Sequence, residues 1–185
     1  MKALIRHLCI AAAVLAATGL ARAATYRVDP ARTEIAFEIG AKGYPLTHGV
    51  FRRFTSSLSI DLDHPQRSAV RFDVAAASLD TRSPALDAYV RGPAFLNAER
   101  FPSIRFASTA VEKLDDNTVR VTGNLTLLGV TRPGTFTVAV ERGGAAGFAF
   151  HAEGGVRRSA FGMTAGLPLI ADEVRILVST RAEAS

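Results

Sequence analysis

Residues 119–134 read Val-Arg-Val-Thr-Gly-Asn-Leu-Thr-Leu-Leu-Gly-Val-Thr-Arg-Pro-Gly. Polar and apolar side chains alternate from Val119 to Leu127, which is typical of a β-strand with one buried face. The alternation stops at Gly129, and the residues that follow, above all Arg132-Pro133-Gly134, have the composition of a turn. This stretch therefore predicts a strand that ends in a turn.

The same alternation recurs along most of the chain, with turn residues between the runs. Turns are predicted at residues 63–66, 115–117, 132–134 and 142–144. Eight or more short strands joined by such turns indicate an antiparallel all-β barrel or sandwich. The alternating runs are 34–39, 58–62, 70–74, 104–107, 119–127, 135–141, 148–150 and 174–178.

One interval differs from this pattern. Ser83 offers a capping hydroxyl, and Pro84 suits the first position of a helix. Residues 85–91 are therefore predicted to form a short helix between the strands.

The first 23 residues have the features of a secretory signal peptide. Lys2 and Arg6 precede an apolar run over residues 8–20, and Ala21-Arg22-Ala23 presents small residues where a signal peptidase cleaves. The run is short of the roughly 20 residues that span a bilayer. We predict a signal peptide over 1–23, a single domain over 24–185 and a periplasmic location.

Removal of that segment changes the charge and the thiol content. It takes away three of the 22 basic residues and none of the 17 acidic ones, which leaves a net charge of +2. Neither a Lys/Arg-rich run nor an aromatic-basic module is present, so no nucleic-acid partner is predicted. The only cysteine, Cys9, is also lost, which excludes thiolate chemistry and disulfides in the mature chain.

No catalytic or metal-binding motif is found. His48, His64 and His151 are far apart in sequence, and Glu34 and Glu38 share the polar face of one strand. A catalytic pair would need unlike environments converging on one site. We predict that the protein is not an enzyme and holds neither a metal nor a cofactor.

Phenylalanine is abundant, and most of the eleven Phe residues fall on apolar strand faces or in the helical interval. Eight strands closed into a barrel leave an interior that side chains can fill or that holds one small ligand. Burying about ten methylene groups of a ligand would contribute on the order of 8 kcal/mol. Both a filled and a hollow barrel fit the pattern.

Several short motifs, in their order along the chain, resemble those of the YceI-like family. The resemblance covers about residues 26–181. The motifs are Tyr26-x-Val28-Asp29, Gly49-Val50-Phe51, Ser78-Leu79-Asp80-Thr81, Asp87-x-x-Val90-Arg91 with Phe95, Leu125-Thr126-Leu127-x-Gly129-Val130-Thr131-Arg132, Arg158-Ser159-x-Phe161-Gly162 and Asp172-Glu173-Val174.

This resemblance implies a lipocalin-like antiparallel eight-stranded barrel with a short helical segment inserted mid-chain. It also implies a periplasmic lipid-binding protein that holds an isoprenoid-type chain or a quinone, contacts membranes transiently and forms a homodimer. The residues expected to bind the ligand are Phe37, Phe72, Phe95, Phe106, Leu125, Phe136, Phe148 and Phe161, with Phe95 and Phe161 near the mouth.

The sequence departs from the family pattern at four positions. Many members carry His where this chain has Ala41, Tyr89 and Leu128, and Arg where it has Leu86. The cations that remain for an anionic head group are Arg91 and Arg158, although a structural role, such as an Asp87–Arg91 ion pair, explains them equally well.

Two other functions remain open at this stage. One is a periplasmic hydrolase that acts on a lipid-like amide or ester in the same cavity. The other is a filled-core module that binds a membrane partner.

Overall fold

The computed structural model describes residues 24–61, 63–142 and 147–184, where it contains eleven strands and one α-helix. The predicted signal peptide and part of the predicted 142–144 turn lie outside the described residues. The strands are β1 Ala24–Val28, β2 Glu34–Ala41, β3 Tyr44–Phe51, β4 Phe54–Ile60, β5 Ala69–Ala75, β6 Leu79–Asp80, β7 Ser103–Lys113, β8 Thr118–Leu127, β9 Val130–Arg142, β10 Gly147–Arg157 and β11 Glu173–Ala184, and the helix α1 is Pro84–Arg91.

Eight of these strands form a closed antiparallel ring in the order β1-β4-β5-β7-β8-β9-β10-β11. The ring closes because β1 pairs with both β4 and β11. β11 pairs with β2 through Arg175–Ser179 and with β1 through Ala182–Ala184, so β2 and β3 complete the wall beyond β1 and β4. The predicted all-β, lipocalin-like barrel is confirmed.

The strand register places the connections at two opposite ends. The β4–β5 loop and the β7–β8 turn lie at one end, which we call the acidic end after Asp61, Asp63, Asp115 and Asp116. The β2–β3 turn and the loop of residues 158–172 lie at the other. The helix α1 packs there, and we call this the helix end.

The helix forms as its sequence predicts, starting one residue earlier. The Ser83 hydroxyl accepts a hydrogen bond from the Leu86 N–H, and Pro84 occupies the first turn. Asp87 is buried and accepts hydrogen bonds from the N–H and the hydroxyl of Thr81, each at 2.7 Å. These bonds attach the helix to the end of β6.

The turn predicted at 132–134 is wrong. The chain reverses at Leu128 and Gly129, which both have positive φ, as a tight two-residue hairpin requires. Pro133 lies inside β9, opposite Asn124. β9 pairs with β10 only from Thr137 onward, so the missing N–H of the proline interrupts no hydrogen bond on that side.

Candidate functional site

The barrel encloses a cavity of about 870 Å³. This volume is within the range of about 300–1,000 Å³ that is usual for small-molecule sites. The cavity reaches residues of both ends, and its middle is lined by aliphatic and aromatic side chains from every strand of the ring except β1. The interior is therefore not filled by side chains.

Six of the eight apolar residues predicted to bind a ligand lie on the cavity wall. They are Phe37, Phe72, Phe95, Phe106, Leu125 and Phe136.

The other two apolar residues lie elsewhere. Phe148 packs edge-on against Tyr26 with the ring centroids 5.6 Å apart, and it does not border the cavity. Phe161 is buried in the hydrophobic core at the helix end, behind the wall and not at a mouth.

Glycines leave room for three of the wall aromatics. A Cβ atom on Gly49 would lie 2.5 Å from the Phe37 ring, and one on Gly154 would lie 2.7 Å from the Phe136 ring. A Cβ atom on Gly123 would lie 2.6 Å from the Phe106 ring. Each ring thus occupies the place of a missing side chain against the wall, which leaves the space along the barrel axis open.

A β-bulge decides which residues of β7 face the cavity. The register with β8 shifts between Ser108 and Ala110. As a result Ile104 and Phe106 line the cavity before the bulge, whereas Val111 lines it after the bulge. An unbroken alternation would have turned Val111 outward, and the sequence carries no clear signal for the shift.

The helix end of the cavity is apolar. Leu86, Tyr89 and Val90 of α1 line it, together with Ala41 of β2. Three of these, Ala41, Leu86 and Tyr89, are positions where the sequence departs from the family pattern. The Tyr89 ring packs edge-on against the Phe95 ring, with the ring centroids 5.1 Å apart.

Arg158 borders this end of the cavity, but its guanidinium serves the backbone. Only 1% of the residue is exposed. Its Nε donates to the carbonyl of Ala171 at 2.8 Å and its Nη2 to that of Ile170 at 3.0 Å. Its Nη1 donates to the carbonyls of Met163 and Ala165 at 2.9 and 2.8 Å. These bonds hold the loop of residues 163–171 against the end of β10.

The charges around Arg158 agree with a structural role. Burial lowers the pKa of Arg158, and the nearby Asp172 carboxylate opposes that effect. Asp172 itself accepts hydrogen bonds from the Ser159 hydroxyl and N–H, which hold its pKa below the usual range.

The second predicted cation, Arg91, does not lie on the cavity wall. Its Nη2 donates to the carbonyl of Leu79 and is 3.3 Å from the Asp87 carboxylate. The i, i+4 ion pair considered for this residue is therefore present. The structure does not bring Arg91 and Arg158 together on one surface facing a ligand.

The acidic end of the cavity is polar. Among the described residues its charged lining consists of Asp61, Asp63, Asp115, Asp116 and Lys113. The Lys113 ammonium is bound to the Asp116 carboxylate at 2.8 Å and lowers its pKa. The sequence placed Asp61 on the polar face of a strand and the other three aspartates in turns, because nothing in a single sequence shows that the two connections meet at one end of the barrel.

Nothing in the described residues resembles a metal site, and no group of three His, Cys, Asp or Glu side chains could hold an ion. The Ser179 hydroxyl lies 3.1 Å from Nδ1 of His151. Both residues are exposed on the outer face of the barrel, away from the cavity. No described helix is long and apolar enough to cross a membrane.

Comparison with known proteins agrees with this architecture. The chain is 33% identical to Protein YceI of Salmonella arizonae over 175 residues, which is 91% of each chain. It is 34% identical to a UPF0312 protein of Enterobacter sp. strain 638 over 173 residues, 90% of each.

Solved structures show the same fold. BcnA of Burkholderia cenocepacia superimposes with a TM-score of 0.79 at 26% identity, over 84% of this chain and 99% of that one. A polyisoprenoid binding domain from Saccharophagus degradans, implicated in plant cell wall breakdown, gives a TM-score of 0.68 at 15% identity, over 89% and 100%.

The model of the YceI-like domain matches residues 26–182. The match covers the closed ring of strands, the helix and the cavity, and the chain therefore belongs to the YceI-like family.

Proposed function

We propose that this protein is a periplasmic lipid-binding protein that holds an isoprenoid-type apolar chain inside its barrel. The observation that carries the proposal is the cavity of about 870 Å³ with an apolar middle. Such a cavity binds a lipid by removing its tail from water, at about 25 cal/mol for each Å² of apolar surface buried. The polyisoprenoid binding domain with the same fold supports an isoprenoid as the ligand.

A hydrolase in the same cavity has less support. The only Ser–His contact within hydrogen-bond distance among the described residues, Ser179 with His151, is on the outer face. A filled-core interaction module conflicts with the cavity volume. Binding without chemistry is the function that the geometry favours, and homodimer formation remains a proposal based on family resemblance.

We further propose that the helix end contacts the bilayer when ligand is taken up or released. Five of the six exposed large apolar side chains of the described residues are at this end, and the sixth, Leu114, is at the acidic end. The carboxylates of the acidic end would be repelled by anionic lipids. The five are Tyr44, Leu46, Tyr89, Leu167 and Leu169.

The test begins with native mass spectrometry of the protein purified from its own periplasm, which should reveal a co-purified lipid. Binding of geranylgeraniol to delipidated protein is then measured for the wild type, Phe136→Trp and Phe148→Trp. A larger ring at position 136 narrows the cavity, so we expect about tenfold weaker binding, or about 1.4 kcal/mol.

Phe148 does not border the cavity, so Phe148→Trp should bind geranylgeraniol as the wild type does. A wild type that carries no lipid and binds no prenyl alcohol would contradict the proposed function.

A further inference from the structure

The cavity meets solvent at the helix end beside Tyr89. The ring of Tyr89 borders the cavity, and yet 57% of the residue is exposed. The wall around it includes Ala41 of β2, Thr47 of β3, Leu86 of α1 and Ile170 of the loop of residues 158–172. None of these five side chains carries a charge, and we call this part of the wall the helix-end mouth.

Two arginines of the described residues contribute to the cavity wall, but neither is available to an anionic ligand at the mouth. Arg158 is 1% exposed and donates to four backbone carbonyls. Arg105 is bonded through its Nε to the Asp73 carboxylate at 3.0 Å, and its side chain is 65% exposed. The exposed Lys42 of the β2–β3 turn is not on the wall.

The helix-end mouth offers hydroxyl groups instead of charges. The edge-on contact with the buried Phe95 ring holds the Tyr89 ring at the mouth, and the described residues give its hydroxyl no hydrogen bond. Thr47 adds a second hydroxyl to the wall. A hydroxyl both donates and accepts, so these groups can bind the hydroxyl or carbonyl oxygen of an uncharged head group.

From this geometry we infer that the helix-end mouth is the head-group site of the ligand, and that it selects an uncharged head with a hydroxyl or a carbonyl. Tyr89 is the residue that determines this specificity. The tail enters the barrel, and the head stays at the mouth, on the side that would face the bilayer. The inference rests on the proposed function and deepens it, because it names the class of lipid that the same cavity takes.

A charged head is disfavoured at the helix-end mouth for a physical reason. An ion placed against Leu86 and Ile170 loses hydration without gaining a partner of opposite charge. An ion that keeps its hydration has to stay outside the mouth, and the part of the tail next to it then remains in water. In both cases the charge lowers the affinity of the same tail.

The test compares three probes with one tail: geranylgeraniol, geranylgeranylamine and geranylgeranyl monophosphate. Dissociation constants are measured at pH 7 with delipidated full-length mature protein. We expect the alcohol to bind about tenfold more tightly than either charged probe. If either charged probe binds as tightly as the alcohol, the head-group inference is overturned and the lipid-binding function stays intact.

Two variants of Tyr89 test its role, and both should fold normally because the residue is largely exposed. Tyr89→Phe removes only the hydroxyl, so it should weaken binding of the alcohol about threefold and leave binding of squalene, which has no head group, unchanged. Tyr89→Arg places a cation at the mouth and should raise the ratio of monophosphate to alcohol affinity about tenfold.

Leu114 provides the matched control, because it is also exposed but lies at the acidic end. Leu114→Arg should leave the ratio of monophosphate to alcohol affinity unchanged. A larger rise in this ratio for Leu114→Arg than for Tyr89→Arg would put the head group at the acidic end and overturn the inference.

The remaining outcomes separate the two proposals. Unchanged binding of the alcohol by Tyr89→Phe would overturn the part of the Tyr89 hydroxyl in head-group recognition. If the wild type binds none of the probes, squalene included, the proposed function itself fails and the inference fails with it.

Discussion

The two ends of the barrel are built from the same antiparallel strands but present different chemistry. At the helix end, α1 and the loop of residues 158–172 cover the cavity with apolar side chains. The buried guanidinium of Arg158 donates its hydrogen bonds there to four backbone carbonyls. At the acidic end, the β4–β5 loop and the β7–β8 turn contribute four aspartates to the cavity lining. A charged residue beside a cavity, such as Arg158, is therefore not available to a ligand when its donors are already bonded to backbone carbonyls.

The largest expected effect concerns Arg158. Arg158→Gln removes most of the donors to four carbonyls of the helix end, and leaving buried acceptors unsatisfied should lower the free energy of unfolding by about 3 kcal/mol or more. Urea denaturation followed by circular dichroism measures the loss. The adjacent Arg157 is exposed, so Arg157→Gln serves as the control.

If Arg158→Gln is as stable as the wild type but has lost affinity for geranylgeranyl monophosphate, the structural role of Arg158 at the helix end is contradicted. Such a result would make Arg158 a ligand of the head group.

The second prediction concerns the contact between Phe136 and Gly154 in the middle of the cavity wall. A Cβ on Gly154 would lie 2.7 Å from both the Phe136 ring and the Thr135 carbonyl oxygen. Gly154→Ala should push the ring into the cavity, at a cost of about 1–3 kcal/mol in stability. Geranylgeraniol affinity, measured by fluorescence titration, should fall by about tenfold, or 1.4 kcal/mol.

Gly134 provides a matched control in the neighbouring strand, because a Cβ there would make ordinary contacts of 3.6 Å with Leu125 and 3.7 Å with Phe136. Comparable losses of affinity in Gly134→Ala and Gly154→Ala would mean that the Phe136–Gly154 contact does not keep the cavity open.

The third prediction concerns the exposed apolar side chains, which are more numerous at the helix end than at the acidic end. Leu46 and Leu169 are 60% and 63% exposed at the helix end. If they enter a bilayer, Leu46→Ser/Leu169→Ser should weaken vesicle binding about tenfold or more, since complete burial of one Leu side chain contributes about 1.5–3 kcal/mol and both side chains are already partly buried in the protein. Cosedimentation with vesicles of phosphatidylethanolamine and phosphatidylglycerol measures this.

Leu114 is 43% exposed at the acidic end, and Leu114→Ser should leave vesicle binding unchanged. An equal loss from the Leu114 variant would show that the two ends do not differ toward a membrane. A change from dimer to monomer in the double variant would assign the patch to a second copy of the chain instead.

The smallest expected effect is a pH dependence at the helix end. The Ser159 hydroxyl and N–H hold the pKa of Asp172 below its usual range in the folded protein. A depressed folded-state pKa contributes stability above the unfolded value of about 4, and this contribution is lost as the pH falls through the folded pKa. Thermal unfolding of wild type and Asp172→Asn should therefore differ most near pH 7 and converge below about pH 4.

A difference between the Asp172→Asn and wild-type melting temperatures that stays constant from pH 7 to pH 3 would argue against this. The stabilisation by Asp172 would then not depend on its charge.

The sequence alone predicts alternating runs within eight of the eleven strands, the helix and, through the resemblance, the family, but no alternating run for β1, β3 or β6. Period-two alternation needs only local residues, and the Ser83-Pro84 cap acts within one turn, so both could be read without a fold. Most of the cavity wall followed for the same reason, because Phe37, Phe72 and Phe136 sit on the apolar faces of their strands.

Three other features depend on contacts between distant parts of the chain. The bulge in β7 reverses which side chains face inward, and it is a matter of pairing with β8. Arg158 finds its carbonyl partners on a loop whose path depends on the whole helix end. The four aspartates meet because the register places two distant turns at one end. The order of residues along the chain sets the local alternation of polar and apolar side chains. Hydrogen-bond partners, and the grouping of residues at one end of the barrel, depend on contacts between segments far apart in sequence.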